Sequence, residues 1–287
     1  KRPFFLEGAD FFDTPFDAVF TRNVSDPDWG VKLTGKQNKN GIGVFAAQDT
    51  ITNLIFPGSQ GSDADTFDFE TTDTALRYRR DFGNSSSIGG VFTGRSGGDF
   101  SSYTGGFDGR YRMNDTDSIT FQFLGSRTEY PAEIIDDFEQ PDGTLSDAAY
   151  TIRYNHNERD YGLWAQYTDV GRDFRADMGF MPRVDYTFIV GGGRWTWTGD
   201  DDNWYNRWSV GGDWDLTRDQ SGQLLERETE IWTDVSGPKQ SSVFLALVDR
   251  DRHFDGVDFP DQFTIQGWQE FQPTGKVWLG LWYRVGD

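Results

Sequence analysis

The sequence predicts an all-β fold, an antiparallel transmembrane β-barrel with roughly 14 strands in this segment, which is either the whole barrel or an incomplete part of a larger one. Three observations predict it: apolar residues recur with period 2, tight turns alternate with long polar connections, and the polar parity of many strands carries rows of charge. Composition agrees, with 34 Gly, 11 Trp, 11 Tyr and 25 Phe in 287 residues and few alanines or leucines to build helices. The hydrophobic share of 36% is low for a soluble core of this size, whereas 16% aromatic is far too high for a disordered chain.

Taken in order, segments near 16–24, 30–36, 41–48, 72–82, 86–94 and 102–113 read as strands. "DSITFQFLG" then sets Ile119, Phe121 and Phe123 against Thr120 and Gln122, and "AAYTIRYN" sets Tyr150, Ile152 and Tyr154 against Thr151, Arg153 and Asn155. Segments near 159–168 and 173–180 follow. "VDYTFIV" opposes Val184, Tyr186, Phe188 and Val190 to Asp185 and Thr187. "WYNRWSVGGDWDLT" opposes Trp204, Trp208, Val210, Trp214 and Leu216 to Tyr205, Arg207, Ser209, Asp213 and Asp215. Further strands fall near 224–235, 241–252, 261–271 and 275–285. Many approach the ~9 to 11 residues that cross a bilayer at a tilt. The turns at 37–41 and 113–118 are tight, whereas 56–73 and 129–147 read as long polar loops. Glycines inside "SIGGVFTG", "YTGGFDG" and "IVGGGRW" permit coiling and close backbone approach in a closed barrel. No strict repeat or linker cuts the chain, so residues 1–15 are expected to form a rim segment at the start of the barrel and 16–287 the barrel itself.

A soluble sandwich or propeller would bury the apolar parity, and a membrane barrel would turn it to lipid; period alone does not separate them. The polar parity supplies the lumen-lining candidates Arg77, Arg79, Arg110, Arg112, Arg207, Asp213, Asp215, Glu226, Glu228 and Glu230, with Arg250 and Arg252 forming a further row. Mixed-sign rows suit a wide hydrated lumen, although a soluble strand face would also tolerate them. Trp and Tyr gather toward strand ends. Trp195, Trp197, Trp204, Trp208, Trp214 and Tyr283 are the membrane-interface candidates, with Tyr205, Trp278 and Trp282 nearby. The rival reading of these rings is a sugar-stacking platform.

Several functions are excluded or disfavoured. No run approaches the ~18 apolar residues of a membrane helix. The net charge of −20 repels nucleic acid. There is no cysteine, and only His156 and His253 could supply imidazole. No nucleophile-elbow, phosphate-loop or zinc-protease motif occurs. Asp136, Asp137 and Glu139, and Asp200, Asp201 and Asp202, read as solvated loop charges. "DRDRHFDG" at 249–256 mimics a calcium loop through Asp251, Asp255 and Gly256, but His253 holds the middle acidic place and Gln262 the twelfth. No catalytic residue, metal site or cofactor is assigned, and the chain is expected not to be an enzyme.

"KRPFFLEGADFF", "VFTRNV", "GVKLTGKQNKNGIGVFAAQDT", "YRRDFGNSSSIGGVFTGR", "TGGFDGRYRMNDTDSITFQFLGSRT" and "FRADMGFMPRVDY" together cover much of the chain. They resemble the bacterial outer-membrane β-barrel domain of unknown function that follows a family-9-like carbohydrate-binding module. The resemblance implies a Gram-negative outer-membrane location and a longer parent carrying a sugar-binding β-sandwich, of which this chain is an excised or processed segment. No biochemical activity comes with the resemblance; together with the two-parity strands it leads to the expectation of a barrel that passes a solute or anchors and serves the sugar-binding module. Outer-membrane lipid and lipopolysaccharide are the expected partners, with oligo- or polysaccharide as a further one and the oligomeric state open. No functional residue comes with it. The aromatic opening is expected to cover a rim or lumen wall, or else to seal a strand edge. The alternative reading of the whole is an exported, soluble carbohydrate-binding or carbohydrate-active β protein.

Overall fold

A computed structural model describes residues 7–200 and 202–287. Its strands are β1 (Pro27–Gln37), β2 (Asn40–Asp49), β3 (Thr52–Pro57), β4 (Ser62–Phe67), β5 (Thr71–Phe82), β6 (Ser86–Gly97), β7 (Phe100–Arg112) and β8 (Asp117–Glu129). After the short helix α1 (Ala132–Asp137) come β9 (Thr144–Asn157), β10 (Tyr161–Val170), β11 (Tyr186–Thr198), β12 (Arg207–Arg218) and β13 (Leu224–Gly237). The last are β14 (Ser241–Phe254), β15 (Val257–Thr274) and β16 (Val277–Gly286). Fourteen of them form one sheet in the order β1-β2-β5-β6-β7-β8-β9-β10-β11-β12-β13-β14-β15-β16, and β3 pairs with β4 in a separate hairpin. Every pairing whose register is defined is antiparallel. No helix among the described residues is long and apolar enough to cross a membrane.

Turn chemistry accounts for the hairpins. Asp255 and Gly256, at φ 49° and 75°, join Phe254 to its register partner Val257. Two successive positive φ values are the requirement of a type I′ turn, and Asp-Gly is a preferred pair for it. Two long connections hold more than loop. Residues 56–73 contribute to the β3–β4 hairpin, and 129–147 contain α1, whose Ile134 packs with Leu54, Phe56, Phe100, Tyr130 and Leu145.

Contacts divide the chain into two compact units, one of residues 1–113, 119–152 and 168–187, the other of 114–118, 153–167 and 188–287. In the first unit the strand faces separate cleanly. One face carries Phe45, Ala47, Asp49, Asp73, Ala75, Arg77, Val91, Arg95 and Asp108, all buried. The other carries Val31, Leu33, Ile42, Leu76, Tyr78, Ile88, Phe92, Tyr103 and Phe107, all exposed.

What covers the polar face is the chain itself. Residues 16–24, expected as a strand, instead form an irregular segment with a 3-10 turn at Thr21–Asn23, and 173–180 are likewise irregular. Both segments are apolar enough to read as strands because they fill a core. Phe16 and Ala18 pack with Phe174, Ala176 and Met181, and Phe12 and Val24 pack with Phe45 and Met178. The parity expected for 184–190 is inverted for the same reason: Val184 is 1% exposed, Tyr186 packs on that cluster, and Ile189 of the opposite parity is exposed. Of the aromatic opening, Phe12 lies against Gly43 of β2, while Phe4 and Phe5 fall outside the described residues.

Candidate functional site

The most elaborate polar surface of the second unit is built by register. Alternation places every second residue on one face, and antiparallel pairing aligns those residues into rows across β12 to β16. Ser209, Asp234, Phe244, Trp268 and Trp282 form one row, and Gly211, Trp232, Ala246, Gln266 and Arg284 form the next. Beyond them run Asp213, Glu230, Val248 and Thr264, and then Asp215, Glu228, Arg250 and Gln262. A final row joins Thr217, Glu226 and Arg252.

The sequence-predicted residues Arg207, Asp213, Asp215, Glu226, Glu228 and Glu230 therefore share one face with the arginines of β14. Arg250 donates from Nε to Glu228 Oε2 at 2.5 Å. Opposite charge at this cross-strand position relieves a crowd of carboxylates that would otherwise repel one another. A cavity of about 220 Å³ opens here, lined by Glu228, Glu230, Arg250, Arg252, Gln262 and Arg284 among others. A second, of about 340 Å³, is lined by Arg194, Arg207, Ser209, Glu230, Trp232, Asp234 and Phe244.

Trp232 and Trp268 escaped the sequence-based list of functional rings, and Trp282 was grouped with interface rings. All three stand on the charged face. The signal was present in the spacing, since Trp232 keeps parity with Glu226, Glu228 and Glu230. Trp268 stacks on Phe244 with centroids 4.4 Å apart and planes at 18°. Trp232 lies over Gly211, where a Cβ would come within 2.4 Å of Cζ2.

The proposed interface aromatics lie elsewhere. Trp214 and Tyr283 have the parity opposite to the charged rows. Trp195 is 50% exposed and stacks on Tyr161 at 5.4 Å. Trp197, Trp204, Tyr205 and Trp208 form one cluster, with Trp197 and Trp208 5.2 Å apart and Trp208 donating from Nε1 to Thr233 Oγ1 at 2.9 Å.

In the first unit, Arg77 is buried and paired with Asp108, while Arg79 is exposed and 3.1 Å from Asp81. Arg110 and Arg112 continue the parity of Asp108 toward the end of β7, and the Arg112 N–H donates to Ser86 Oγ at 3.0 Å. These four stand in a different unit from the acidic rows. The calcium-like stretch is otherwise engaged: Asp251 accepts from Arg227 and from the Asp261 N–H, and His253 Nδ1 lies 2.6 Å from Asp258. No cluster of potential metal ligands occurs among the described residues.

No protein-family profile matches the chain, and no curated protein does. Among solved structures it is similar to BamA from Haemophilus ducreyi lacking POTRA domains 1–3, at 8% identity and a TM-score of 0.43. The match covers 90% of this chain and 65% of that one. Nothing about this chain's role follows from a likeness at that level.

Proposed function

We propose that the chain is a non-enzymatic outer-membrane β-barrel of a Gram-negative bacterium, its sheet closed alone or with further strands. Its apolar face meets lipid and lipopolysaccharide, and its polar face surrounds the interior. The observation that carries this reading is the exposed apolar face. Ile231, Leu247, Ile265 and Val285 are neighbours across four strands, and Ile231 is 58% and Val285 67% exposed. Continuous apolar surface of that extent marks a membrane or partner contact, and the Arg250–Glu228 ion pair of the same strands occupies the opposite face, while Arg227 and Asp251 pair on the apolar parity toward the strand ends.

Within this reading the barrel passes a solute or anchors a periplasmic carbohydrate-binding module. The module is suggested by the sequence resemblance, and the solute by the mixed-charge cavities. Expression behind an export signal, followed by fractionation, tests the reading: the protein is expected in the outer membrane, with heat-modifiable migration on a denaturing gel. Recovery in the soluble fraction without detergent overturns it. Ion conductance in planar bilayers separates passage from anchoring.

A second reading, a soluble glycan-binding protein, draws support from the Trp197, Trp204 and Trp208 cluster, in which Trp204 is 67% exposed. It requires glycan binding by detergent-free protein that Trp195→Ala or Trp204→Ala abolishes.

A further inference from the structure

We infer that the polar face of β13 to β16 is a binding track for an uncharged oligosaccharide, with Trp268 and Trp282 as its stacking rings and Phe244 backing Trp268. The inference rests on the reading of this face as the hydrated interior and adds a ligand class and the residues that hold it.

Rings at the membrane boundary need no ligand to explain them, because lipid covers them. Rings on the charged face have no such cover. Trp268 is 40% and Trp282 67% exposed, yet they stand in register with each other and with Phe244, directly beside Asp234. Leaving that apolar area in water forfeits about 25 cal/mol per Å² relative to covering it. Phe244 covers one face of Trp268, with centroids 4.4 Å apart and planes at 18°, so the ring area left for a pyranose is the remainder of Trp268 together with Trp282.

The surroundings select the ligand's polarity. Asp234 continues the strip's own row, and Gln266 and Arg284 stand one row away, so acceptors and donors border the rings. Arginines and carboxylates interleave across the face, with Arg250 on Glu228, so neither an anion nor a cation meets a field of one sign. A ligand with apolar ring faces and a rim of hydroxyls, carrying no charge, satisfies both features: the C–H faces of a pyranose stack, and its hydroxyls bond to the bordering groups. One row away, Trp232 is seated on Gly211 and lines the adjoining cavity of about 340 Å³, within the range of small-molecule sites.

The test uses the full chain refolded in detergent. Calorimetry and tryptophan fluorescence are run with maltohexaose, cellohexaose and xylohexaose, and with inorganic phosphate and choline as charged probes. At least one hexasaccharide is expected to bind. Trp268→Ala and Trp282→Ala should each weaken it about tenfold or more. Trp268→Phe and Trp282→Phe should stay within about threefold of wild type, which guards against a folding defect in the alanine variants. Trp214→Ala, on the opposite face, should leave binding unchanged. If no hexasaccharide binds while membrane insertion and heat-modifiable migration persist, this inference fails and the barrel reading stands. Phosphate or choline binding in place of sugar also overturns it, as does sugar binding indifferent to both alanine variants.

Discussion

The guanidinium of Arg77 grips the Asp108 carboxylate with two parallel hydrogen bonds, Nη1 to Oδ2 at 2.6 Å and Nη2 to Oδ1 at 2.8 Å, reaching from β5 to β7 across Gly89 of β6. The intervening residue must be glycine, because a Cβ there would lie 2.5 Å from Arg77 Nη1 and 2.7 Å from the Tyr78 carbonyl oxygen. With the Arg77 side chain 3% exposed, loss of Asp108 strands a buried cation. Asp108→Ala is expected to cost about 3–5 kcal/mol. The double variant Arg77→Met with Asp108→Leu should recover much of that loss, because it leaves no unpaired charge. Equilibrium unfolding in detergent measures both, and a double variant no more stable than the single one contradicts this account.

A second arginine ties the irregular segments to the sheet. Arg95 is fully buried and donates to Asp73 at 2.9 Å, to the Asn53 carbonyl at 2.7 Å and to the Asn23 carbonyl at 3.3 Å, with Asp49 3.5 Å away. Asp49 in turn accepts from the N–H groups of Ser25 and Asp26, and Asn23 Nδ2 donates to the carbonyls of Asp177 and Gly179. One side chain thus holds β5, β3 and the segment before β1. Arg95→Ala should free residues 7–26 from the face that they cover while the strands persist. Limited proteolysis followed by mass spectrometry should show early cuts in that segment, and an unchanged cleavage map would argue that its apolar contacts suffice.

The fold was readable where the polypeptide obeys one period. Alternation located the long strands from β5 to β8 and from β12 to β16, because each needs only one apolar face. It misled at 16–24 and 173–180, where Phe16, Ala18, Phe174 and Ala176 are apolar without being strand-like: they fill the space above a polar sheet face, and no local pattern distinguishes that from a strand. The acidic and basic rows were legible as rows, but their partners were not. Which carboxylate meets Arg250 depends on the β13–β14 register, and the pairing of Arg77 with Asp108 spans a strand. The tryptophans of the charged face were hidden by the expectation that indoles gather at the membrane boundary.

Asp177 gives a pH dependence. It lies in the connection between β10 and β11, and burial pushes its carboxyl above the ordinary 3.8, opposed by hydrogen bonding from Ser102, by the charges of Arg175 and Arg95 and by the Tyr130 hydroxyl at 3.1 Å. Because the folded form holds this proton more tightly than the unfolded chain, its contribution to stability is complete below pH 3.8. It declines as pH rises through the folded value. Asp177→Asn keeps an acceptor for Tyr130 and cannot ionise. Urea midpoints of the variant should therefore gain on wild type as pH is raised from 3.8, and parallel curves would mean that Asp177 titrates normally.

The apolar face makes the sharpest demand. Leu247 sits between Ile231 and Ile265, and its neighbour in sequence, Val248, pairs with Glu230 on the other face. If lipid covers Leu247, Leu247→Arg places a guanidinium in hydrocarbon and should destabilise the folded protein in bilayers by about 2–4 kcal/mol at mid-depth, less nearer the interface. Glu230→Gln, one step along β13 from Ile231 but facing the polar rows, should change stability little, since it removes one carboxylate from a group that includes Asp213 and Glu228. Refolding titrations in lipid vesicles compare the two. A soluble protein with this face in water would tolerate Leu247→Arg at almost no cost, so equal behaviour of the variants would remove lipid from the account.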